Sequence, residues 1–527
     1  IYPYEWVDDY KKFKEQLPLD KKDWYSTLNN EGISDNDLAF AKEVYRDFQC
    51  KNFGDYHNLY LKLDTILTKD VFDNFRETCY KNYKLDPVYY ISAPQLSDAA
   101  SLKYTGQELE LLTDQENYEI YEKGIRGGIS NIPHRHASAN NCYFYDEKLG
   151  KTVKLSREDA EKKGIWNSKK HISYILYLDC NNLYGWALSQ PLPIGEFLNY
   201  NLLHKKSIDN TKEKLKTFLE CKNEKLVNLT KSLLNCEDQI EFEKIIHEML
   251  QFESFKKKIN EFICGNKNHK KLEFKPTDFT EEMILNLDDN GEYGYTFIVD
   301  LEIPVELHNK FKDYPMLPEH YIPKEEELSG YQRELIAKDI GSKPKEGKLI
   351  TTLYSKKDYI IDFRMLKECL RQGIILKSVN NYIRFKQKAW LKSYIDMNTK
   401  LRQEAKNDFE KDFYKLMNNS VYGKQMENVR NRCDVKILTT PESFLKQTNY
   451  ETRTILDEET ILLARKKQTI KLNKPIYGGF VVLEISKLLM YQFYYNVLKK
   501  KYGDKVRLLG TDTDSLIVYI ETDDAYE

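Results

Sequence analysis

An acidic turn between two apolar segments is the feature that most constrains how this chain can fold. The segments Val506–Leu509 and Leu516–Ile520 flank the sequence Gly510-Thr511-Asp512-Thr513-Asp514-Ser515. This pattern predicts two strands joined by a tight turn. Side chains alternate along a strand, so Asp512 and Asp514 are expected to project together. A bound divalent cation would offset their mutual repulsion, although Asp and Thr are also ordinary turn residues.

Length and composition bound the class of protein. A chain of 527 residues predicts two to four domains, and 41% hydrophobic with 31% charged residues is typical of a globular protein. The net charge of −2 excludes a uniformly basic nucleic-acid coat, but one face can still be basic. The nine Cys form no CxxC pair, which indicates reduced intracellular thiols and no zinc site. No signal peptide or membrane-length apolar run is visible, and nucleus and cytoplasm both stay open.

Helical and strand patterns alternate along the chain. Residues 1–85 are predicted to be mainly helical, with an N-cap at Ser34 and a helix over Tyr56–Phe75 whose apolar positions include Leu63, Ile66, Leu67 and Val71. The remaining predictions are irregular structure over 86–115, loops and strands over 125–186, Lys/Glu-rich helices over 205–260, short strands over 290–385, a helical stretch broken once over 387–421, strands and loops over 433–480, and an amphipathic helix over Glu484–Lys501.

A further carboxylate ends an apolar segment. Ile172–Leu178 predicts a strand buried on both faces, and it runs directly into Asp179. A charge at the end of a buried strand is costly unless it is paired or bound to a metal, although a lone Asp here is also an ordinary turn former. Asp179 is far from the acidic turn in the sequence, so any contact between them depends on the tertiary fold.

A polar helix face is the third candidate. Lys415, Asn419 and Tyr422 share one face by their i, i+4 and i+7 spacing. A charge, an amide and an aromatic ring suit a triphosphate, a sugar and a base, whereas a solvated face is the plainer interpretation. Gly423 is predicted to end this helix. Leu416, Met417 and Val421 are predicted to pack away from the polar face, and Arg402 and Lys406 could add positive charge just upstream.

Taken together, the three candidates resemble the sequence motifs of family B DNA polymerases. Asp179-Cys180-Asn181-Asn182-Leu183-Tyr184-Gly185 is similar to motif A, DxxSLYP, with Asn182 and Gly185 in place of Ser and Pro. Lys415–Gly423 matches motif B, KxxxNSxYG, at every fixed position. Gly510–Ser515 is similar to motif C, YxDTDS, with Gly510 in place of a Tyr that would support the primer terminus.

The wider pattern resembles the protein-primed branch of that family, which includes phages, linear plasmids and Maverick/Polinton-type transposons. Ile125-Arg126-Gly127-Gly128 is similar to the branch's YxGG element, and Tyr60–Asp64 matches YxxxD, the third exonuclease motif. The first two exonuclease motifs would precede Ile1 and the thumb would follow Glu527, so we expect a fragment of a longer protein.

The resemblance implies an α+β fold, a right-hand polymerase with an antiparallel-sheet palm and helical fingers. The C-terminal remnant of a 3′–5′ exonuclease domain would precede it, and the thumb would be largely missing. The implied segments are 1–115 (exonuclease-like part and connection), 116–200 (palm, first part), 201–385 (terminal-protein-region-like insertion), 386–430 (fingers), 431–475 (second insertion) and 476–527 (palm, second part).

The implied activity is template-dependent addition of dNTPs to a primer 3′-hydroxyl by two-metal nucleotidyl transfer. The implied partners are a DNA primer-template, dNTPs and a terminal protein primer, with two Mg²⁺ ions as cofactors and Mn²⁺ as a substitute. Asp179 and Asp514 would bind the metal ions, and Asp512 would be a supporting catalytic carboxylate. Nucleotide-binding roles fall to Tyr184, Lys415, Asn419, Tyr422, Arg402 and Lys406, and DNA-binding roles to Arg126, Gly127, Gly128, Thr511 and Ser515.

Tyr60 and Asp64 would belong to an exonuclease remnant whose partners are absent, so proofreading is not expected.

Two other interpretations of the sequence remain open. A catalytically inactive, DNA-binding remnant of a transposon polymerase is the main alternative. A reverse transcriptase would be expected to carry a YxDD turn, which differs from Asp512-Thr513-Asp514-Ser515.

Overall fold

The structure, a computed structural model, describes residues 1–201, 223–235, 275–338, 340–341, 345–448 and 450–525, with isolated positions between 216 and 255. The described strands are β1 (Ser130–Asn131), β2 (Tyr143–Asp146), β3 (Lys151–Lys154), β4 (Ser173–Asp179), β5 (Leu192–Asn199), β6 (Tyr293–Glu302), β7 (Glu319–Tyr321), β8 (Lys348–Ile350), β9 (Lys356–Asp362), β10 (Ile375–Lys388), β11 (Cys433–Leu438), β12 (Tyr450–Ile455), β13 (Ile461–Lys466), β14 (Val506–Asp512) and β15 (Ser515–Glu521).

The described helices begin in the first hundred residues and continue between the strands. They are α1 (Asp35–Asp47), α2 (Phe53–Tyr83), α3 (Ala93–Thr105), α4 (Gln115–Gly124), α5 (Arg157–Lys162), α6 (Leu183–Leu188), α7 (Glu224–Asn235), α8 (Glu281–Leu285), α9 (His308–Phe311), α10 (Gly330–Ala337), α11 (Phe363–Arg371), α12 (Lys392–Glu404), α13 (Asp408–Gln425), α14 (Pro441–Leu445), α15 (Ile476–Gln492) and α16 (Lys500–Tyr502). Most of the Lys/Glu-rich segment 205–260 lies outside the described residues, and α7 is the part of it seen to be helical.

The chain divides into two compact units, Ile1–Ala100 and Ser101–Glu527. The first unit is mainly helical, as the sequence predicts. The Ser34 hydroxyl accepts a hydrogen bond from the Asp37 N–H and caps α1, which confirms the predicted N-cap. The second helix is also confirmed, although α2 is longer than its prediction at both ends. Its predicted apolar positions are exposed to solvent, namely Leu63, Ile66, Leu67 and Val71.

Helix α3 contradicts the prediction of irregular structure over residues 86–115. Three of its thirteen residues are alanines, Ala93, Ala99 and Ala100. Alanine has the highest helix propensity but contributes little to a hydrophobic stripe. A search for apolar periodicity therefore misses a helix of this composition.

Antiparallel sheets organise the second unit. One has the strand order β1-β14-β15-β4, another β5-β10-β6-β9, and a smaller one β11-β13-β12. All of their described pairings are antiparallel. This mixture of helices and antiparallel sheets agrees with the predicted α+β class, while the finer segment boundaries stay predictions. Residues of both larger sheets share one buried core with helix residues, among them Val299, Phe363, Tyr491, Leu508 and Val518.

The predicted burial of both faces of the Ile172–Leu178 strand is wrong. Leu176 and Leu178 pack against the core, but Ile175 and Tyr177 on the other face of β4 are 40% and 65% exposed. The core covers only one face of this sheet. An almost wholly apolar strand can therefore leave alternate large side chains at the surface.

The predicted start of one long helix also differs from the structure. The helix expected over Glu484–Lys501 begins at Ile476, and nearly all side chains of α15 are buried rather than amphipathic. Gly478 and Gly479 argue against a helix in the sequence, but a Cβ at Gly479 would lie 1.9 Å from Met426 Sδ, so glycine is what allows this close packing. A π-helix over Phe493–Lys499 and then α16 follow, and Gly503 at φ 57° ends the run.

The helical stretch over 387–421 is broken once, as predicted, between α12 and α13. The prediction that Gly423 ends the second of these helices is wrong, because α13 continues to Gln425 and Met426 caps it. Met417 and Val421 are buried as expected, whereas Leu416 is 45% exposed. None of the helices in the described part of the chain is long and apolar enough to cross a membrane.

Candidate functional site

The acidic turn is a two-residue hairpin connection. Asp512 pairs with Ser515 at the ends of β14 and β15, which leaves Thr513 and Asp514 as the turn. Thr513 has φ 56°, a conformation that is rare for a β-branched residue and therefore strained. Its N–H donates to Ile129 O at 2.9 Å, and the Asp514 N–H donates to Asp512 O at 2.7 Å. The predicted strand–turn–strand is confirmed, and the turn is also fixed from outside the hairpin.

Asp179 reaches the same end of the sheet from β4. Its Cα partner across the sheet is Ser515, and the next residue, Cys180, donates its N–H to Asp514 O at 2.8 Å. Burial, followed by the charges of the Asp514 and Asp179 carboxylates, raises the pKa of the Cys180 thiol. Asp179 and Asp512 are exposed and Asp514 is half-buried. The fold thus joins two predicted acidic sites that are distant in the sequence.

The connection after Asp179 has an unusual local geometry. Asn182 adopts φ 59° at the N-terminus of α6, a left-handed conformation that Asn tolerates better than most residues. A Cβ placed on Gly185 would lie 2.1 Å from Asn182 Nδ2. These two residues are the positions at which the chain departs from the motif A pattern, and in the structure they pack against each other.

An aromatic pair joins this connection to α13. The rings of Tyr184 and Tyr422 stack with centroids 5.1 Å apart and an interplanar angle of 20°. Burial raises the pKa of Tyr184, and the charge of the Asp514 carboxylate adds to that shift. Burial also raises the pKa of Tyr422, with a smaller effect from Tyr184. The predicted helix face is thereby brought to the predicted carboxylates.

The cationic and amide candidates stay available to a ligand. Lys415 lies on α13 two turns before Tyr422 and Asn419 one turn before it, and both side chains are exposed. Arg402 lies in the last turn of α12 and Lys406 in the connection to α13, and both are exposed. These positions suit the predicted nucleotide-binding roles, which themselves stay predictions.

Several predicted DNA-binding residues are engaged inside the protein. The Arg126 guanidinium is buried, donates to Ile360 O at 2.8 Å and lies over the Tyr359 ring at 3.8 Å. The Thr511 hydroxyl donates to Ser515 O at 2.9 Å, and the Ser515 hydroxyl donates to Asp512 O at 3.3 Å.

The two glycines of the YxGG-like element, Gly127 and Gly128, have different surroundings. Gly127 has no atom within 4 Å of an added Cβ, whereas a Cβ at Gly128 would meet Thr513 Oγ1 at 2.3 Å. The close approach of Gly128 to the turn gives this glycine a packing role. The roles of these residues in binding DNA stay predictions.

The exonuclease-like pair lies in the first unit. Tyr60 and Asp64 are one turn apart on α2, and Asp64 is exposed. The Tyr60 hydroxyl is hydrogen-bonded to the Tyr4 hydroxyl at 2.7 Å, which raises the pKa of Tyr60. The structure keeps the two side chains on neighbouring turns, and their role stays a prediction.

A buried ion pair beneath the site was missed at the level of sequence. Lys487 and Glu484 are both almost fully buried in α15, with Lys487 Nζ 3.3 Å from Glu484 Oε1. The signal was present, because a Glu and a Lys three residues apart interrupt an otherwise apolar helix. Charged residues are almost never fully buried unless they are paired.

Comparisons with known proteins found similarity only among solved structures. No family model matches the chain, and no curated protein matches it. The chain is similar to Phi29 DNA polymerase in an orthorhombic crystal form, with 12% identity and a TM-score of 0.40 over 99% of this chain and 59% of that one. It is similar to the same polymerase with primer-template DNA and incoming nucleotide substrates, with 11% identity and a TM-score of 0.41 over 99% and 60%. A binary complex with primer-template DNA gives 12% identity and a TM-score of 0.36 over 83% and 48%. The chain therefore spans about half to three fifths of the length of these polymerase chains.

Proposed function

We propose that this chain is the polymerase part of a DNA-directed DNA polymerase of the family B type. It would add dNTPs to the 3′-hydroxyl of a primer paired to a DNA template. The observation that carries the proposal is the convergence of three sequence-distant segments. Asp179 lies opposite Ser515 across the sheet, and the Cys180 N–H that follows it donates to Asp514 O at 2.8 Å. The Tyr184–Tyr422 stack then joins the connection after Asp179 to α13.

The donor chemistry of the site suits Mg²⁺. Carboxylate oxygens are hard ligands, and Mg²⁺ in phosphate-handling sites is commonly held by one or two carboxylates, with waters and substrate phosphates completing its shell. Within the described residues there is no group of three or more His, Cys, Asp or Glu side chains that could hold a metal ion. Asp179 and Asp514 would be the two carboxylates of such a site. When bound, the two metal ions would lower the pKa of the primer hydroxyl and stabilise the leaving pyrophosphate.

The other residues of the site would bind and orient the nucleotide. The Lys415 ammonium, exposed on α13, would pair with the triphosphate as a point charge. Asn419 would donate a hydrogen bond from the same face, and Arg402 and Lys406 would supply further positive charge. The Tyr184 ring, held by Tyr422, would pack beneath the sugar and exclude a 2′-hydroxyl.

The wider biological role follows the sequence resemblance and belongs to the same proposal. Replication of a mobile element or a virus-like genome is the proposed process, with primer-template DNA as the partner and a terminal protein as a candidate primer. Asp512, at the end of β14, would support the acidic turn rather than bind metal directly.

Primer extension by isosteric variants tests the proposal. We expect Asp179→Asn and Asp514→Asn to abolish Mg²⁺-dependent incorporation, because an amide is a far weaker ligand for Mg²⁺ than a carboxylate. Asp523→Asn is the matched control, since Asp523 is an exposed carboxylate just beyond the other end of β15. It should leave the rate unchanged.

Two outcomes would contradict the proposal in different ways. Extension at the wild-type rate by either active-site variant would remove the metal assignment. A wild-type chain that binds a primer-template but never extends it would instead favour the inactive DNA-binding remnant.

A further inference from the structure

Residues 126–131, called the strap below, run from the buried interior to the acidic turn. At the interior end, the Lys487 ammonium donates to Arg126 O at 2.8 Å and to Leu483 O at 3.0 Å. The Glu484 carboxylate lies 3.3 Å from the same ammonium. The backbone at the start of the strap is thus held by a charged donor from α15.

The side chain of Arg126 reinforces this anchor. Its guanidinium donates to Ile360 O at 2.8 Å and to Gly124 O at 3.2 Å, and it lies over the Tyr359 ring. Backbone and side chain of one residue are therefore both fixed to the core. A cation over an aromatic face in a desolvated setting is a comparatively strong contact.

The other end of the strap contacts the acidic turn. Ser130 pairs with Asp512 and Asn131 with Thr511 as β1 joins β14. Ile129 O accepts the Thr513 N–H at 2.9 Å, and the backbone of Gly128 lies against the Thr513 side chain. Only two residues, Gly127 and Gly128, separate Arg126 from Ile129, so a shift at the anchor has little chain in which to be absorbed.

Burial of the Lys487–Glu484 ion pair costs desolvation free energy that burial of an apolar pair would not. Burial lowers the pKa of Lys487, and the Glu484 carboxylate opposes that shift. Well-packed apolar side chains of similar volume are often as stabilising as a buried ion pair or more so. What they cannot do is donate a hydrogen bond to Arg126 O, and this is the contact that distinguishes Lys487 from a merely space-filling residue.

We propose that Lys487, with Glu484 as its counter-ion, is a positioning residue that sets the acidic turn through the strap. Its effect on nucleotide incorporation rests on the proposed function, whereas its effect on the turn does not. Lys487 would contact neither the metal ions nor the substrate. It acts through Arg126 O, then through the Ile129 O to Thr513 N–H hydrogen bond.

The double variant Lys487→Met with Glu484→Leu separates positioning from simple loss of charge balance. It removes both charges of the ion pair at similar volume, so neither Lys487 nor Glu484 is left as an unpaired buried charge, although the Asp362 N–H loses Glu484 Oε2, its acceptor at 3.4 Å. Lys367→Met is the control, since Lys367 is also buried and donates to a backbone carbonyl, Leu287 O at 2.5 Å, and to Asp289.

The first readout is hydrogen–deuterium exchange of peptides covering the turn, 511–516. We expect exchange there to accelerate at least tenfold in the double variant, while peptides around the Ser173 N–H, which is bonded to Asn140 O at the other end of the sheet, stay unchanged. The Lys367→Met control should leave both regions unchanged. Unaltered exchange at the turn in a folded double variant would overturn the proposal, whether or not the chain proves to be a polymerase.

The second readout is primer extension as a function of Mg²⁺ or Mn²⁺. The double variant should lower kcat at least tenfold and raise the metal concentration needed for half-maximal rate, with KM for the primer-template little changed. A rise in that KM at unchanged kcat and metal requirement would place the effect on DNA binding and refute positioning of the turn. A wild-type chain without any extension would refute the proposed function, and the exchange result would still decide the role of Lys487.

Discussion

The substitution Gly128→Ala measures how closely the strap and the acidic turn are packed. A Cβ at Gly128 would lie 2.3 Å from Thr513 Oγ1, 2.6 Å from Cγ2 and 2.8 Å from Cβ. Rotation of the Thr513 side chain moves the first two atoms but leaves its Cβ in place. Ordinary contact begins at 3.4 Å, so the two backbones must separate by 3.4 minus 2.8, or about 0.6 Å.

This displacement sets the expected magnitude. Overpacking of this kind costs about 1–3 kcal/mol of stability. A misplacement of about 1 Å at a reacting centre can cost on the order of 10²-fold in rate. A shift of about 0.6 Å at the turn that holds Asp514 should therefore lower kcat for single-nucleotide incorporation by about 10- to 100-fold. Thermal unfolding should show a lower midpoint in the same variant.

Two companion variants make the prediction refutable. Gly127→Ala adds the same methyl group one residue away, where nothing lies within 4 Å, so it should change the unfolding midpoint very little. Combining Gly128→Ala with Thr513→Gly removes all three clashing atoms and relieves the positive φ of Thr513, so it should recover both kcat and the unfolding midpoint. A Gly128→Ala protein with wild-type kcat, or a double variant without recovery, would refute the packing argument.

Three further predictions follow from other contacts. Gly185→Ala should lower the thermal unfolding midpoint, because its Cβ would lie 2.1 Å from Asn182 Nδ2. Adding Asn182→Gly to Gly185→Ala should restore the midpoint, and a double variant without recovery would show that this contact is not the cause. Tyr184→Ala should admit ribonucleotides, and an unchanged ratio of dNTP to rNTP incorporation would reject its proposed role at the sugar. A hydrogen bond from the Arg432 guanidinium, together with two nearby ammonium groups, holds the pKa of Glu427 well below its ordinary 4.5. The ionised Glu427 carboxylate therefore stabilises the fold fully above about pH 4.5, and this stabilisation is lost as the pH falls further. Glu427→Gln should accordingly lower the unfolding midpoint at neutral pH, and a gap between variant and wild type that fails to narrow in acid would contradict this.

Local features of the structure were predictable where one physical signal dominated. The strands on either side of Asp512 and Asp514 follow from apolar composition around turn residues, and the structure has them within a few residues of their predicted bounds. Ser34 was predictable as an N-cap because its side chain meets the orphan amides of the first turn. The polar face of α13 followed from helical spacing alone.

The features that local sequence did not determine depend on the rest of the fold. Whether Tyr177 faces the core or the solvent is decided by what covers each face of its sheet, and among the described residues Tyr177 is left 65% exposed, which the strand's own sequence does not encode. The buried start of α15 depends on the close approach of Met426 to Gly479. The meeting of Asp179 with Asp514 required the order of strands in the sheet, and that order is a property of the whole fold.

The three departures from the polymerase motifs are physically unlike one another. Asn182 and Gly185 form a single coupled change, because the left-handed Asn places its side chain where any Cβ at position 185 would have to be. Gly510 is different: an added Cβ would lie 3.6 Å from Asn131 O and from Ile517 Cδ1, which is ordinary contact. Packing around its Cβ therefore does not require glycine at position 510, whereas a Cβ at position 185 would require the Asn182 side chain to move. The glycine at position 510, where the motif C pattern has Tyr, is thus not a consequence of crowding at that backbone position.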